Sequence, residues 1–186
     1  MTTQSFISFI SNPVPQVVFA IFVALAWPLS RVFSGTATRR RIVAALFIVS
    51  VGVIVALTAT PSYGDPVWFA AIPPHFLTQL DQPRLILAKL VAAPSDAEQV
   101  ANIALYVPLG IFGRLLFRSS ARATLFGFLL VFTIETVQYV IPGRAGSITD
   151  IRNNVLGTFL GAIAVAAVAR LRRDNTERRS PVGQTR

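Results

Sequence analysis

The chain has 186 residues, of which 53% are hydrophobic and only 13% charged, with a formal net charge of +9. Soluble domains are about a quarter charged, so this composition argues against an ordinary water-soluble fold. There is no cysteine, which excludes disulfides, zinc–cysteine sites and a cysteine nucleophile. The one histidine, His75, excludes sites that need two histidine ligands.

Five apolar blocks follow in chain order, at about 14–29, 42–59, 100–117, 123–141 and 151–169. A membrane-spanning helix needs about 20 mostly apolar residues. The second and fourth blocks meet that length cleanly. The first meets it only if residues 11–33 take part, and the third and fifth only with their polar first turns included. A signal peptide begins with basic residues and ends in a small-residue cleavage site. Residues 1–13 have no Lys or Arg, and Trp27-Pro28-Leu29 is a poor cleavage site, so the first block is expected to stay as an anchor.

The basic residues set the expected orientation. Arg31, Arg39, Arg40 and Arg41 lie between blocks one and two, and Arg114, Arg118 and Arg122 in the hairpin between blocks three and four. Arg170, Arg172, Arg173, Arg178, Arg179 and Arg186 follow block five. Cytoplasmic segments are rich in Lys and Arg. The pattern therefore predicts an all-α integral membrane protein with five transmembrane helices, the N-terminus outside and the C-terminus cytoplasmic. The charge is then a topology signal with a contribution to anionic-lipid binding, not a nucleic-acid surface.

The expected organisation is two N-terminal spans over 1–60, an outer proline- and aromatic-rich loop over 61–94, a three-helix unit over 95–169 and a disordered basic tail over 170–186. The loop holds six prolines with Trp68, Phe69 and Phe76 among them, so it is not one helix. Leu85, Ile86, Leu87, Leu90 and Val91 suit a short interfacial helix within it. His75 reads as a surface residue. No internal repeat is found.

The informative residues are polar ones in or near the spans, where they are costly and face the bundle interior. Glu135 lies about 9 Å below the outer end of its block at 1.5 Å per residue, and Gln138 is one turn nearer the surface on the same face. Asn102 starts the third block. Asp150 and Asn154 share a face that Gly157 and Gly161 continue. Arg144 is the nearest outer cation, a partner for Glu135 or Asp150. Structural readings stand beside these. Ser147-x-x-Asp150 and Ser95-x-x-Glu98 fit capping boxes, Asn102 and Asn154 fit helix bridges, and the glycines fit helix packing. Pro108 is expected to kink the third span. Glu135 could be a neutral acid bonded to Gln138.

These residues also form a recognisable set. Asn102-x-x-Leu-Tyr-Val-Pro108-Leu-Gly110, Thr133-Ile-Glu135-x-x-Gln138, and Arg144-x5-Asp150-x3-Asn154-x-x-Gly157-x3-Gly161 together resemble the VanZ-like membrane family. The match runs from about Ser95 to Ala169. Tyr106 stands where Phe is expected and Thr133 where Ser is common. The resemblance implies a bacterial cytoplasmic-membrane protein that affects the cell envelope, in a family associated with reduced susceptibility to teicoplanin. It implies functional positions at Asn102, Glu135, Gln138, Arg144, Asp150 and Asn154.

Three functions follow as expectations. The favoured one is non-enzymatic: an outer-leaflet pocket of these residues binds the head group of a lipid-linked cell-wall precursor or a lipidated glycopeptide, with no cofactor and no metal. The second is a membrane enzyme acting on a lipid head group, with Glu135 as general base and Asp150 as acid or orienting group. It lacks an obvious nucleophile. The third, a proton or ion transporter, lacks polar stations in the cytoplasmic halves of the last two spans. The sequence does not set the oligomeric state.

Overall fold

The computed structural model describes residues 12–34, 37–60, 80–138 and 146–179. His75, Trp68, Phe69, Phe76 and Arg144 lie outside them. The described residues fold into six α-helices: α1 Pro13–Ser34, α2 Thr38–Thr58, α3 Pro83–Val91, α4 Ala97–Phe117, α5 Ser120–Val137 and α6 Ile148–Arg179. All except α3 are long and apolar enough to cross a membrane, in agreement with the five expected spans. The nine-residue α3 is the short helix expected between the second and third spans.

The helices leave two unlike ends. One gathers the end of α2, all of α3, the start of α4, the end of α5 and the start of α6. The opposite end carries Arg31, Arg39, Arg40, Arg41, Arg114, Arg118 and Arg122. There the Arg41 guanidinium sits 4.2 Å from the centre of the Trp27 ring, a cation–π contact between α1 and α2. Above it, Phe47 of α2 packs edge-on against Phe117 of α4 at 5.3 Å and against Phe126 of α5 at 5.0 Å. The core continues upward through Ile54, Tyr106, Leu109, Val131 and Ile134. Outward faces expose leucine, valine and phenylalanine side chains along α1, α5 and α6, as suits contact with acyl chains.

In lipid, helices associate by close packing rather than by the hydrophobic effect, so small residues mark the contacts. The α4–α6 pair follows that rule. A side chain at Gly110 would collide with the Thr158 carbonyl, one at Gly157 with the Ile103 carbonyl, and one at Gly161 with the Val107 carbonyl. On α5, Gly127 leaves room for the Thr158 side chain. The two helices run parallel, both starting at the same end, which aligns their first turns.

One boundary differs from the sequence reading: α6 continues to Arg179, beyond the tail expected to begin at Arg170. Residues 170–179 contain no proline or glycine, and arginine and leucine favour helix. Pro108 lies within α4, on an exposed face. The α4–α5 turn is made by Arg118 in the left-handed region at φ 56°, a conformation that glycine adopts without penalty.

Gly157→Ala places a methyl group against a backbone carbonyl that no rotamer change relieves. It is expected to lower stability by about 1–3 kcal/mol, read as a fall in the thermal unfolding midpoint in detergent. Arg118→Gly is expected to raise that midpoint.

Candidate functional site

The start of α4 is fixed by its cap. Asp96 Oδ1 accepts from the Gln99 backbone N–H at 2.8 Å, and that bond holds the Asp96 carboxylate below the usual range. The Gln99 amide nitrogen donates back to Ser95 Oγ at 2.9 Å and to Asp96 Oδ2 at 2.7 Å. The expected Ser95–Glu98 box is therefore displaced by one residue. A carboxylate is a strong acceptor for a helix N–H, and Asp96 with Gln99 takes the positions assigned to Ser95 and Glu98.

The start of α6 differs more. In a capping box, the acid three residues on accepts from the capping residue's backbone N–H. Here the Ser147 N–H donates instead to Glu135 Oε2 of α5, at 2.7 Å. Asp150, the residue expected to cap, accepts from Asn102 Nδ2 of α4 at 3.0 Å. Glu135 is 2% exposed, so its carboxylate faces the bundle rather than lipid. The two acids thus tie the first turn of α6 to two different helices. Gln138 turns away from this pair: its amide nitrogen donates to the Thr58 carbonyl at 2.7 Å, joining the ends of α5 and α2. Asn154 is buried one turn below Asp150.

Of the six residues singled out in the sequence, the structure brings Asn102 and Asp150 into direct contact. It buries Glu135 and Asn154 beside them and directs Gln138 to α2. Arg144 lies outside the described residues.

Sequence reasoning missed Arg152, Asn153 and Tyr106 as members of this cluster. The Arg152 guanidinium uses all of its donors on neutral acceptors. Nε and Nη2 donate to Asn153 Oδ1 at 3.0 and 2.7 Å, and Nη2 donates to Gln99 Oε1 at 3.3 Å. Nη1 donates to the Lys89 carbonyl at 2.6 Å and also to the Ala92 carbonyl. Those carbonyls end α3, where a helix has unpaired acceptors and partial negative charge. Arg152 therefore docks α3 onto α4 and α6. The available signal was the run Arg152-Asn153-Asn154 in the first turns of an apolar helix, three costly residues in succession.

The cluster is incompletely satisfied. Tyr106 Oη, Asn153 Nδ2 and Asn154 Oδ1 are buried and have no hydrogen-bond partner. Buried polar atoms are paired as a rule; among the described residues the other exceptions are Arg41 Nε and Nη2, Arg114 Nε and Thr124 Oγ1, toward the opposite end. Among the described residues, no group of three His, Asp or Glu side chains could hold a metal ion.

Helices that span the membrane around a buried polar cluster define a multi-pass bacterial membrane protein. A family model described as VanZ/LLP1 matches residues 47–170, two thirds of the chain, and the chain belongs to that family. It is 30% identical over 82 residues to "Protein VanZ" of Enterococcus faecium, an alignment covering 43% of this chain and 51% of that protein. The chain thus spans about half the length of that curated relative. No solved structure matches it significantly. The family match begins well before Ser95 and takes in α2 from Phe47, consistent with the packing of Phe47 and Ile54 in the core and the Gln138–Thr58 bond.

Arg152→Leu is expected to release α3. Hydrogen bonds to a charged group contribute about 1.5–3 kcal/mol each, so amide exchange across residues 84–92 should rise at least tenfold. Arg152→Lys should give an intermediate rate, because an ammonium offers three donors and no planar fork.

Proposed function

We propose that this chain is a cell-envelope protein that lowers the action of teicoplanin-type glycopeptides. It does so by holding the head group of a lipid-linked molecule in the polar cluster of α4, α5 and α6, in the outer leaflet. One observation carries the reading: a buried, partly unsatisfied polar cluster stands at the end of the bundle opposite Arg31, Arg39, Arg40, Arg41, Arg114, Arg118 and Arg122. Lys- and Arg-rich segments favour the cytoplasmic side, so the cluster belongs to the outer leaflet. Membership of the VanZ/LLP1 family supports an envelope role.

In this reading Asn102, Asp150, Glu135 and Asn154 form the polar wall, and Gln138 holds α2 against it. Arg144, between α5 and α6 in sequence, supplies a cation for phosphate or carboxylate at the membrane surface. The exposed apolar side chains of α3 cover the acyl part. Glu135 holds the start of α6, which favours a binding role for it over proton abstraction.

The test is surface binding of fluorescent teicoplanin to susceptible bacteria that express the chain. Expression should lower binding severalfold relative to empty cells. Asp150→Asn at equal membrane level should restore most of the binding. Glu135→Gln keeps an acceptor for the Ser147 N–H and, as a member of the same wall, should restore binding as well. Equal binding to expressing and empty cells would overturn the proposal.

A further inference from the structure

Three buried atoms without partners specify what kind of group this cluster accepts. The first is Asn153 Nδ2. Arginine only donates hydrogen bonds, so the two bonds from Arg152 require the Asn153 carbonyl oxygen to face the guanidinium. The amide orientation is thereby fixed, and Nδ2 is presented as a donor at a residue with 0% exposure. The second is Tyr106 Oη, which donates and accepts, also on a fully buried side chain. The third is Asn154 Oδ1, an acceptor.

The three belong to one neighbourhood. Asn153 and Asn154 lie one turn before Gly157, whose α-carbon faces Ile103 and the Tyr106 Cβ. Tyr106 is one turn below Asn102, as Asn154 is one turn below Asp150, and Asn102 and Asp150 are bonded. One turn is about 5.4 Å. On their helices, Tyr106, Asn153 and Asn154 thus stand about one turn beneath the Asn102–Asp150 pair. Long side chains on a helix lean toward its start, which tilts the Tyr106 ring toward that pair.

The local charge excludes one class of ligand. Two acids belong to this cluster: Glu135, which is buried, and Asp150, which is bonded to Asn102 one turn above Tyr106. Arg152, the cation within this stretch of α6, has every donor engaged by neutral acceptors. An anion placed against Tyr106 would meet two acids and no open donor from Arg152. A neutral group that both gives and takes hydrogen bonds would satisfy all three orphaned atoms.

We infer that the cluster recognises a neutral head group bearing hydroxyl or amide groups, a sugar above all, and discriminates against a phosphate at this depth. The inference rests on the head-group reading of the site and names the class of head group. Tyr106 and Asn153 join Asn154 as binding residues.

The experiment uses the full chain, purified in a detergent without a sugar head group and placed in phosphatidylcholine nanodiscs. Retention of glucosyl-diacylglycerol and of phosphatidic acid with the same acyl chains is measured by native mass spectrometry. The sugar lipid is expected to be retained at least tenfold better. Tyr106→Phe combined with Asn154→Leu should reduce that retention at least tenfold while leaving the thermal midpoint unchanged or higher, because orphaned polar atoms have been removed. A purely structural role for these residues predicts a lower midpoint instead. Equal or better retention of phosphatidic acid would overturn the inference, as would sugar-lipid retention that the double variant leaves intact. If neither lipid is retained while expressing cells still bind less fluorescent teicoplanin, the head-group class is wrong and the envelope role stands. If those cells also match empty ones, the underlying reading falls with it.

Discussion

The close approach of α4 and α6 is the constraint on which the rest depends. Gly110, Gly157 and Gly161 let one helix backbone rest on the carbonyls of the other. Without that contact, Asn102 and Asp150 would stand too far apart for a 3.0 Å bond. The seam does what small residues do in lipid, where a close fit replaces the hydrophobic drive. It also has a consequence for polarity. Two parallel helices pressed together bring their polar first turns to the same level.

That end is held by exchange between helices. Each helix start has N–H groups with no partner in its own ladder. A soluble helix meets this need locally, as α4 does with Asp96 and Gln99. For α6, the donor at Ser147 is met by Glu135 from α5, which leaves Asp150 to bind Asn102 on α4. Arg152 then uses its guanidinium to gather the last carbonyls of α3 with Gln99 and Asn153. Four helices meet through hydrogen bonds from one turn and a half of α6. The Asn153 amide is oriented as a by-product, which leaves its Nδ2 buried without a partner.

The spans were legible because block length and basic flanks are direct readouts of bilayer thickness and charge asymmetry. The polar set was legible because Glu135, Asp150 and Asn154 are expensive where they stand. What each one bonds was not legible. A capping box read from Ser147 and Asp150 assumes that the partner is local, and here it comes from a helix twelve residues earlier. Gln138 shares a helix face with Glu135, yet it reaches the end of α2, a contact across 80 residues that no spacing rule encodes. Arg152 lies outside the basic flanks, and the acceptors for its five donors come from the end of α3, Gln99 of α4 and Asn153 of α6, the first two far from it in sequence. The run of α6 to Arg179 was visible in composition, since nothing between 170 and 179 breaks a helix, but the charge there was taken as a sign of disorder.

The central claim is that the polar end of the bundle faces outward, and its most direct test is chemical labelling in intact cells. The chain has no native cysteine, so a single Ala93→Cys substitution, at an exposed position between α3 and α4, reports that end alone. A membrane-impermeant maleimide should label it in whole cells as completely as in permeabilised ones. Labelling that appears only after permeabilisation would turn the cluster toward the cytoplasm and contradict an outer-leaflet site.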